Sequence, residues 1–208
     1  MAAFAIKIIL AYLIGSLSGS LLLGRLRGVD IRTLGSGNAG GTNALRTQGK
    51  AFGVSVLLFD MIKGIVAAGG IPLLLPTSAA LTPWLPMACA IAVVAGHVWP
   101  IWFGFRGGKG AATLVGVLLV LAPLGLVPVL GVWVIVLITS GYVGLATILG
   151  GLAFVAYAFL MPLRPPIEWF GVAMALFLIF THRSNIRRLF AGTEHRVVRA
   201  MVLRRRES

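Results

Sequence analysis

Residues Ala51–Leu75 read AFGVSVLLFDMIKGIVAAGGIPLLL, a run of apolar side chains broken only by Asp60 and Lys63. The hydrocarbon core of a bilayer is about 30 Å thick and needs about 20 apolar residues of helix to cross it, so this stretch is long enough to span. Runs of the same character occur at Ala3–Leu23, Ala79–Trp99, Thr113–Val127, Pro128–Thr139, Tyr142–Met161 and Ile167–Thr181. Together they predict an all-α integral membrane protein with seven transmembrane helices. Fusing the fourth and fifth runs would demand a helix of roughly 40 Å carrying Pro123 and Pro128, so two short helices around a proline-bearing turn are expected.

Composition points the same way. Of 208 residues, 59% are hydrophobic and 11% charged, with a mean hydropathy of +1.00, too little charge for a soluble domain of this size. The formal net charge of +13 does not signal a nucleic-acid partner. The basic residues lie between and after apolar runs, and no nucleic-acid motif accompanies them. Cys89 sits alone in an apolar stretch, with no disulfide partner and no metal-ligand spacing, and reads as a small buried hydrophobe. Ala2–Leu23 has no basic start apart from Lys7 and is followed by more spans, so it is read as a retained first helix rather than a signal peptide.

Charge orients the chain. Arg25, Arg27, Arg32, Arg46 and Lys50 fall between the first two spans, and Arg106 and Lys109 between the third and fourth. Arg183, Arg187, Arg188, Arg196, Arg199 and Arg204–Arg206 follow the last span. The alternate loops have no Lys or Arg, except Arg164. The positive-inside rule then places the N-terminus outside and the C-terminus in the cytoplasm, which requires an odd number of spans. Trp84 and Trp169 near one surface and Trp99 and Trp102 near the other make an aromatic belt. With no linker or repeat visible, residues 1–208 are read as a single polytopic domain with cytoplasmic loops at about 24–50, 96–113 and 182–195.

Those loops carry the chemistry. They read Gly35-Ser-Gly-Asn-Ala-Gly-Gly-Thr-Asn-Ala-Leu-Arg46, Gly96-His-Val-Trp-Pro-Ile-Trp-Phe-Gly-Phe-Arg-Gly-Gly-Lys-Gly-Ala-Ala-Thr113 and His182-Arg-Ser-Asn-Ile-Arg-Arg-Leu-Phe-Ala-Gly-Thr-Glu194. Glycines let a backbone approach a ligand and form amide nests for anions, and Lys or Arg adds charge-assisted bonds to phosphate oxygens. The spelling Gly35-x-Gly37-x-x-Gly40 lacks the strand–helix setting of a dinucleotide site. Gly104-Phe-Arg-Gly-Gly-Lys109-Gly is one residue short of a Walker A loop and has glycine where Ser or Thr would hold magnesium. What remains is a general anion site.

The three segments together resemble the acyl-phosphate-dependent glycerol-3-phosphate acyltransferase family of bacteria, known as PlsY. The resemblance rests on Ser36-Gly-Asn-Ala-Gly-Gly-Thr-Asn43, on Gly96-His-x-x-Pro100 with Phe105-Arg-Gly-Gly-Lys-Gly-Ala-Ala-Thr113, and on His182-Arg-x-Asn-Ile-x-Arg-Leu189, and it covers essentially the whole chain. Gly41 stands where alanine is usual and Arg106 often stands as lysine; neither departure removes a donor or a charge. The resemblance implies transfer of a fatty acyl group from acyl phosphate to the 1-hydroxyl of glycerol 3-phosphate, giving lysophosphatidic acid and phosphate. It implies the bacterial inner membrane with the site at the cytoplasmic face, no cofactor or metal, and neither CoA nor acyl carrier protein as donor. Consistently, the His-x4-Asp pair of other acyltransferases is absent: Trp102 follows His97 and Arg187 follows His182 at that spacing.

Ser36, His182 and Asn185 are the catalytic candidates. The substrate-binding candidates are Gly37, Asn38, Gly40, Thr42, Asn43, Arg46, His97, Gly107, Gly108, Lys109, Gly110, Thr113, Arg183 and Arg187. Lys109 and Arg46 are expected to hold phosphate. Ser36, Asn38 and Asn43 either orient a substrate or cap a turn. His182 and Asn185 share a helix face, and His182 is either a general base or a helix-end donor; His97 carries the same two readings. Asp60 and Lys63 are either functional intramembrane charges or a pair that closes the bundle. Glu194 is expected to position Arg187 or Arg188, Arg199 and Arg204–Arg206 to meet anionic lipid heads, and Ser140–Gly144 to be only a tight turn. An organic-phosphate transporter is the rival class, but its binding groups would lie near the midplane rather than at one surface.

Overall fold

The computed structural model describes residues 1–161, 163 and 165–201. Arg164 and Arg204–Arg206 lie outside the described residues, as does the side chain of Arg199. The described residues form helices, turns and loops, without a strand among them. They divide into two compact units, Met1–Ala122 and Pro123–Ser208.

The first unit holds α1 (Ala2–Gly15), α2 (Gly19–Leu26), α3 (Gly41–Gln48), α4 (Lys50–Ile65), α5 (Leu85–Val98) and α6 (Ala111–Leu121). A π turn at Val66–Gly70 and a 3-10 turn at Ile71–Leu73 extend α4, so the helical run Lys50–Leu73 is 24 residues long. Its faces are inverted relative to a soluble helix. Phe52, Val56, Asp60, Lys63 and Ala67 point inward, while Val54, Leu58 and Ile62 are about half exposed. Charge inside and apolar side chains outside is the pattern of a helix whose outer solvent is lipid.

Close crossings hold the unit together. A Cβ on Gly15 would overlap the backbone of Val93, and one on Gly96 would overlap the carbonyl of Tyr12, so α1 and α5 meet backbone to backbone. α4 and α6 cross in the same way at Gly64 and Gly116. Without a hydrophobic drive between helices in lipid, such small-residue contacts supply the van der Waals packing. Lys7 is buried at 1% exposure; its Nζ donates to Pro72 O at 2.9 Å and Thr77 Oγ1 at 2.8 Å, closing the far end of the α4 extension.

Two features differ from the expected helices. Ala3–Leu23 is not one helix: α1 and α2 are bent by 47° across Ser16–Ser18. The break is filled from α4. Lys63 Nζ donates to Gly15 O at 2.9 Å and Leu17 O at 3.1 Å, and Gly19 N–H donates to Asp60 Oδ1 at 3.3 Å. A cation thus sits at the C-terminal carbonyls of α1 and an anion at the N-terminal amide of α2, each matching the local helix dipole. The second difference concerns the fourth and fifth runs. The turn falls at Ala122–Gly125, around Pro123, and not between Val127 and Pro128. Pro128 instead lies in the first turn of the next helix, where its missing N–H costs no intrahelical bond.

In the second unit, α7 (Leu126–Ser140) and α8 (Val143–Leu160) form a hairpin through Gly141, and α9 (Pro165–Thr181) packs against α8. A short amphipathic helix, α10 (Arg183–Phe190), follows α9. Across the described residues, four helical runs are long and apolar enough to cross a membrane: Lys50–Leu73, Thr82–Phe103, Pro123–Ser140 and Val143–Leu160. The bent α1–α2 pair makes a fifth, and α6 and α9 are shorter apolar helices.

Candidate active site

The first loop runs from the end of α2 to α3 and is organised by one side chain. Asn43 is 1% exposed. Its Oδ1 accepts from Ser36 N–H at 3.0 Å, and its Nδ2 faces the carbonyls of Ile31, Leu34 and Asn38 at 3.1, 2.9 and 3.1 Å. The loop is therefore wrapped around the Asn43 amide, which brings Ser36 and Asn38 to its rim, both half-buried. On α3, Thr42 and Arg46 lie one turn apart and both are exposed.

The second loop folds back onto the end of α5. Gly107 N–H donates to Val98 O and Gly108 N–H to His97 O, each at 3.1 Å. Side chains are excluded here by contact. A Cβ on Gly107 would overlap His97 O, and a Cβ on Gly108 would overlap His97 Nε2 while lying 2.8 Å from Ala39 O. Gly108 thus marks where the second loop meets the first. Lys109, half-buried, follows at once, and Gly110 caps α6 with φ +90°. Thr113 is fully buried in the first turn of α6, and its hydroxyl has no hydrogen-bond partner among the described residues.

Arg32, read from sequence only as an orienting charge, ties the loops together. Its Nε and Nη2 grip the Asp30 carboxylate at 2.8–3.2 Å, and its Nη1 donates to Phe103 O at 2.9 Å and Arg106 O at 3.4 Å. The hydrogen bonds from Arg32 hold the Asp30 carboxyl below the usual carboxylate range. The available signal was the acid itself, one of five Asp and Glu in a chain of net charge +13. Arg25 also stacks over the Phe103 ring at 4.5 Å, on a cavity of about 270 Å³ lined by Leu21, Arg25, Gly28, Val29, Asp30, Arg32 and Phe103. None of the expected ligands is among those lining residues.

His97 does not face outward. It is 2% exposed, with Nδ1 2.9 Å from Lys63 Nζ and 3.4 Å from Asp60 Oδ1. Asp60 and Lys63 pair at 2.9 Å, so of their two readings the geometry agrees with closure of the bundle.

In the second unit, His182 is the link between α9 and α10. Its Nδ1 lies 2.9 Å from Leu178 O; a carbonyl can only accept, so Nδ1 carries a proton, and in the neutral ring the lone pair is on Nε2. Asn185 Nδ2 donates to Glu194 Oε1 at 2.6 Å, and Arg188 Nε to Glu194 Oε2 at 2.7 Å. Of the two arginines expected against Glu194, it is Arg188 that pairs; Arg183 and Arg187 are exposed, and Arg183 stacks on Phe180 at 4.5 Å. The turn Ser140–Gly144 does more than reverse the chain. A Cβ on Gly144 would lie 2.8 Å from Asn185 Nδ2, and Gly141 O accepts from Val197 N–H at 2.9 Å. This turn therefore seats Asn185 and the following segment, a role its sequence did not announce.

Residues 5–192 match the family model described as glycerol-3-phosphate acyltransferase. The chain is 40% identical over 187 residues to a glycerol-3-phosphate acyltransferase of Geobacter sulfurreducens, covering 89% of this chain and 93% of the relative. It is 42% identical over 191 residues to that of Desulforamulus reducens, covering 91% and 93%. Among solved structures it is similar to PlsY, an integral membrane glycerol 3-phosphate acyltransferase, in its glycerol 3-phosphate form. That likeness has a TM-score of 0.83 at 33% identity and covers 94% of this chain and 96% of the other. The lysophosphatidic acid form of PlsY gives a TM-score of 0.81, also at 33% identity.

Proposed function

Because the chain belongs to the glycerol-3-phosphate acyltransferase family, we propose that it transfers a fatty acyl group from acyl phosphate to the 1-hydroxyl of glycerol 3-phosphate. The observation that carries this reading is the junction where Gly108 of the second loop comes up to the Ala39 carbonyl of the first, beside Lys109. Both reactants carry phosphate, and backbone amides with a lysine suit phosphate oxygens.

The hydroxyl oxygen attacks the acyl carbon, the bond from that carbon to the phosphate oxygen breaks, and inorganic phosphate leaves. Lysophosphatidic acid is the other product. The hydroxyl proton passes to a base, for which the Nε2 lone pair of His182 or a phosphate oxygen of the substrate is suited. A mixed anhydride carries its own leaving group, so the reaction requires neither a covalent enzyme intermediate nor CoA or acyl carrier protein. Ser36 and Asn38 at the rim of the first loop orient the reacting groups, Arg46 and Thr42 extend the phosphate-holding surface, and Arg183 and Arg187 supply charge beside His182 and Asn185. We further infer a single polytopic domain of seven spans in the bacterial inner membrane, with the N-terminus outside and the loops and C-terminus in the cytoplasm, from the distribution of Lys and Arg.

The test supplies purified protein in lipid with acyl phosphate and glycerol 3-phosphate and follows inorganic phosphate. Release that needs both substrates, with lysophosphatidic acid appearing, is expected. No release from folded protein would overturn the reading, and efficient transfer from acyl-CoA or acyl carrier protein would overturn the donor.

A further inference from the structure

His97 has two ring nitrogens in different surroundings. Nδ1 faces inward, 2.9 Å from Lys63 Nζ and 3.4 Å from Asp60 Oδ1. Nε2 faces Gly108, close enough that a Cβ there would overlap it, at the place where Ala39 O also approaches. Lys63 is anchored independently: Asp60 Oδ1 lies 2.9 Å away, and Gly15 O and Leu17 O accept from its Nζ. An ammonium has three N–H groups and no lone pair, and four candidate acceptors lie within 3.1 Å of this one, so they share its protons; at 2.9 Å Nδ1 faces it with a lone pair, since an Nδ1–H there would set donor against cation. An Nδ1–H pointing at Asp60 would set two donors against each other at that shorter distance. The proton of a neutral His97 is then on Nε2, at the meeting point of the two loops.

We propose that Lys63, held by Asp60, dictates the tautomer of His97 and so presents its Nε2–H to a phosphate oxygen bound between the first and second loops. Asp60 and Lys63 are positioning residues, acting through His97 on a ligand they do not touch. Tautomer control of this kind is what a hydrogen bond at one ring nitrogen imposes on the other. The same two residues bridge the break between α1 and α2, so the helix kink and the donor share one support. His182 provides the contrast: a carbonyl at its Nδ1 leaves the lone pair on Nε2, a tautomer suited to accepting a proton, whereas His97 is set to donate. The phosphate as ligand rests on the acyl-transfer reading; the tautomer does not.

Nitrogen-15 spectra of histidine-labelled protein in lipid nanodiscs test both parts. The chain has three histidines, and a His97→Gln variant identifies the signals of His97. In the unsubstituted protein at neutral pH, the protonated nitrogen of His97 is expected to be Nε2, and that of His182 to be Nδ1. An Nδ1–H tautomer or a doubly protonated ring at His97 overturns the proposal. In Lys63→Met, the Asp60 carboxylate becomes the nearest partner of Nδ1 and the proton moves to Nδ1 while His182 is unchanged. An unmoved His97 proton in folded Lys63→Met also overturns it.

Addition of glycerol 3-phosphate is expected to shift the His97 Nε2 resonance; no shift at saturation removes the phosphate as its acceptor. Should Lys63→Met fail to fold, activity supplies the second comparison. The longer glutamine side chain can bring its amide nitrogen near the place of Nε2, whereas asparagine reaches only the place of Nδ1. His97→Gln should therefore retain at least about tenfold more kcat/KM than His97→Asn, the worth of one hydrogen bond. The reverse order overturns the assignment. The expected tautomer in a protein without acyl-transfer activity would leave the network standing and remove only the reaction.

Discussion

Substitution of Lys109 by Ala is expected to lower kcat/KM by roughly 10- to 150-fold, as expected for losing a charged hydrogen bond of about 1.5–3 kcal/mol. A near-normal kcat/KM in folded protein would remove Lys109 from the site. Asn43→Ala should behave differently. It strips the partner from Ser36 N–H and from carbonyls of the same loop, so a loss of about 1–3 kcal/mol in stability is expected alongside lost activity, read by thermal inactivation in lipid. Sequence put both residues in glycine-rich loops but could not separate their roles, because Asn suits a turn and a ligand equally until its neighbours are known. Arg32 was missed for a related reason: its partners, Phe103 O and Arg106 O, are more than seventy positions away in the chain. The Asp30–Arg32 pair also has a pH signature. The depressed Asp30 pKa means that its contribution is present above the ordinary carboxylate value and is lost only as pH falls below it. Asp30→Asn should therefore show the same modest loss of activity at every pH from 5 to 9, and an effect that appears only near the acid end would contradict the pair.

At the scale of elements, apolar runs were legible because lipid selects them by length and composition, and every predicted run contains helix. Boundaries were less so. Two prolines compete for one turn, and sequence does not say that Pro123 makes it while Pro128 starts the next helix. Pro128→Ala should accordingly leave stability within about 0.5 kcal/mol of the unsubstituted protein by thermal inactivation. Gly116→Leu should not: its side chain would collide with the backbone of Met61 where α4 and α6 cross, and a loss of about 1–3 kcal/mol is expected from overpacking. Equal stability of the two variants would refute this division of roles. The crossings at Gly64 and Gly116, like the kink at Ser16–Ser18, depend on which helix lies opposite, and periodicity along one helix carries no such information.

At the scale of the whole molecule, charge rather than packing sets orientation. Cys89 is fully buried, so the native chain should be nearly silent to a membrane-impermeant maleimide. Ser78→Cys, at an exposed position in a loop without Lys or Arg, should label from outside intact cells, and Ser184→Cys, exposed on α10, only after the membrane is opened. The opposite pattern would invert the proposed topology.

The break between α1 and α2 bears on how the protein is made. When the first hydrophobic segment leaves the ribosome, Asp60 and Lys63 have not yet been synthesised, and in lipid nothing else can satisfy the carbonyls of Gly15 and Leu17. The nascent segment is therefore best served by remaining one straight helix, as its sequence suggests. The bend is expected to form once α4 arrives beside it. A chain stalled before residue 60 is therefore expected to hold its N-terminal segment unbent and one extended past α4 to hold it bent, and a bend already present in the shorter chain would contradict this order.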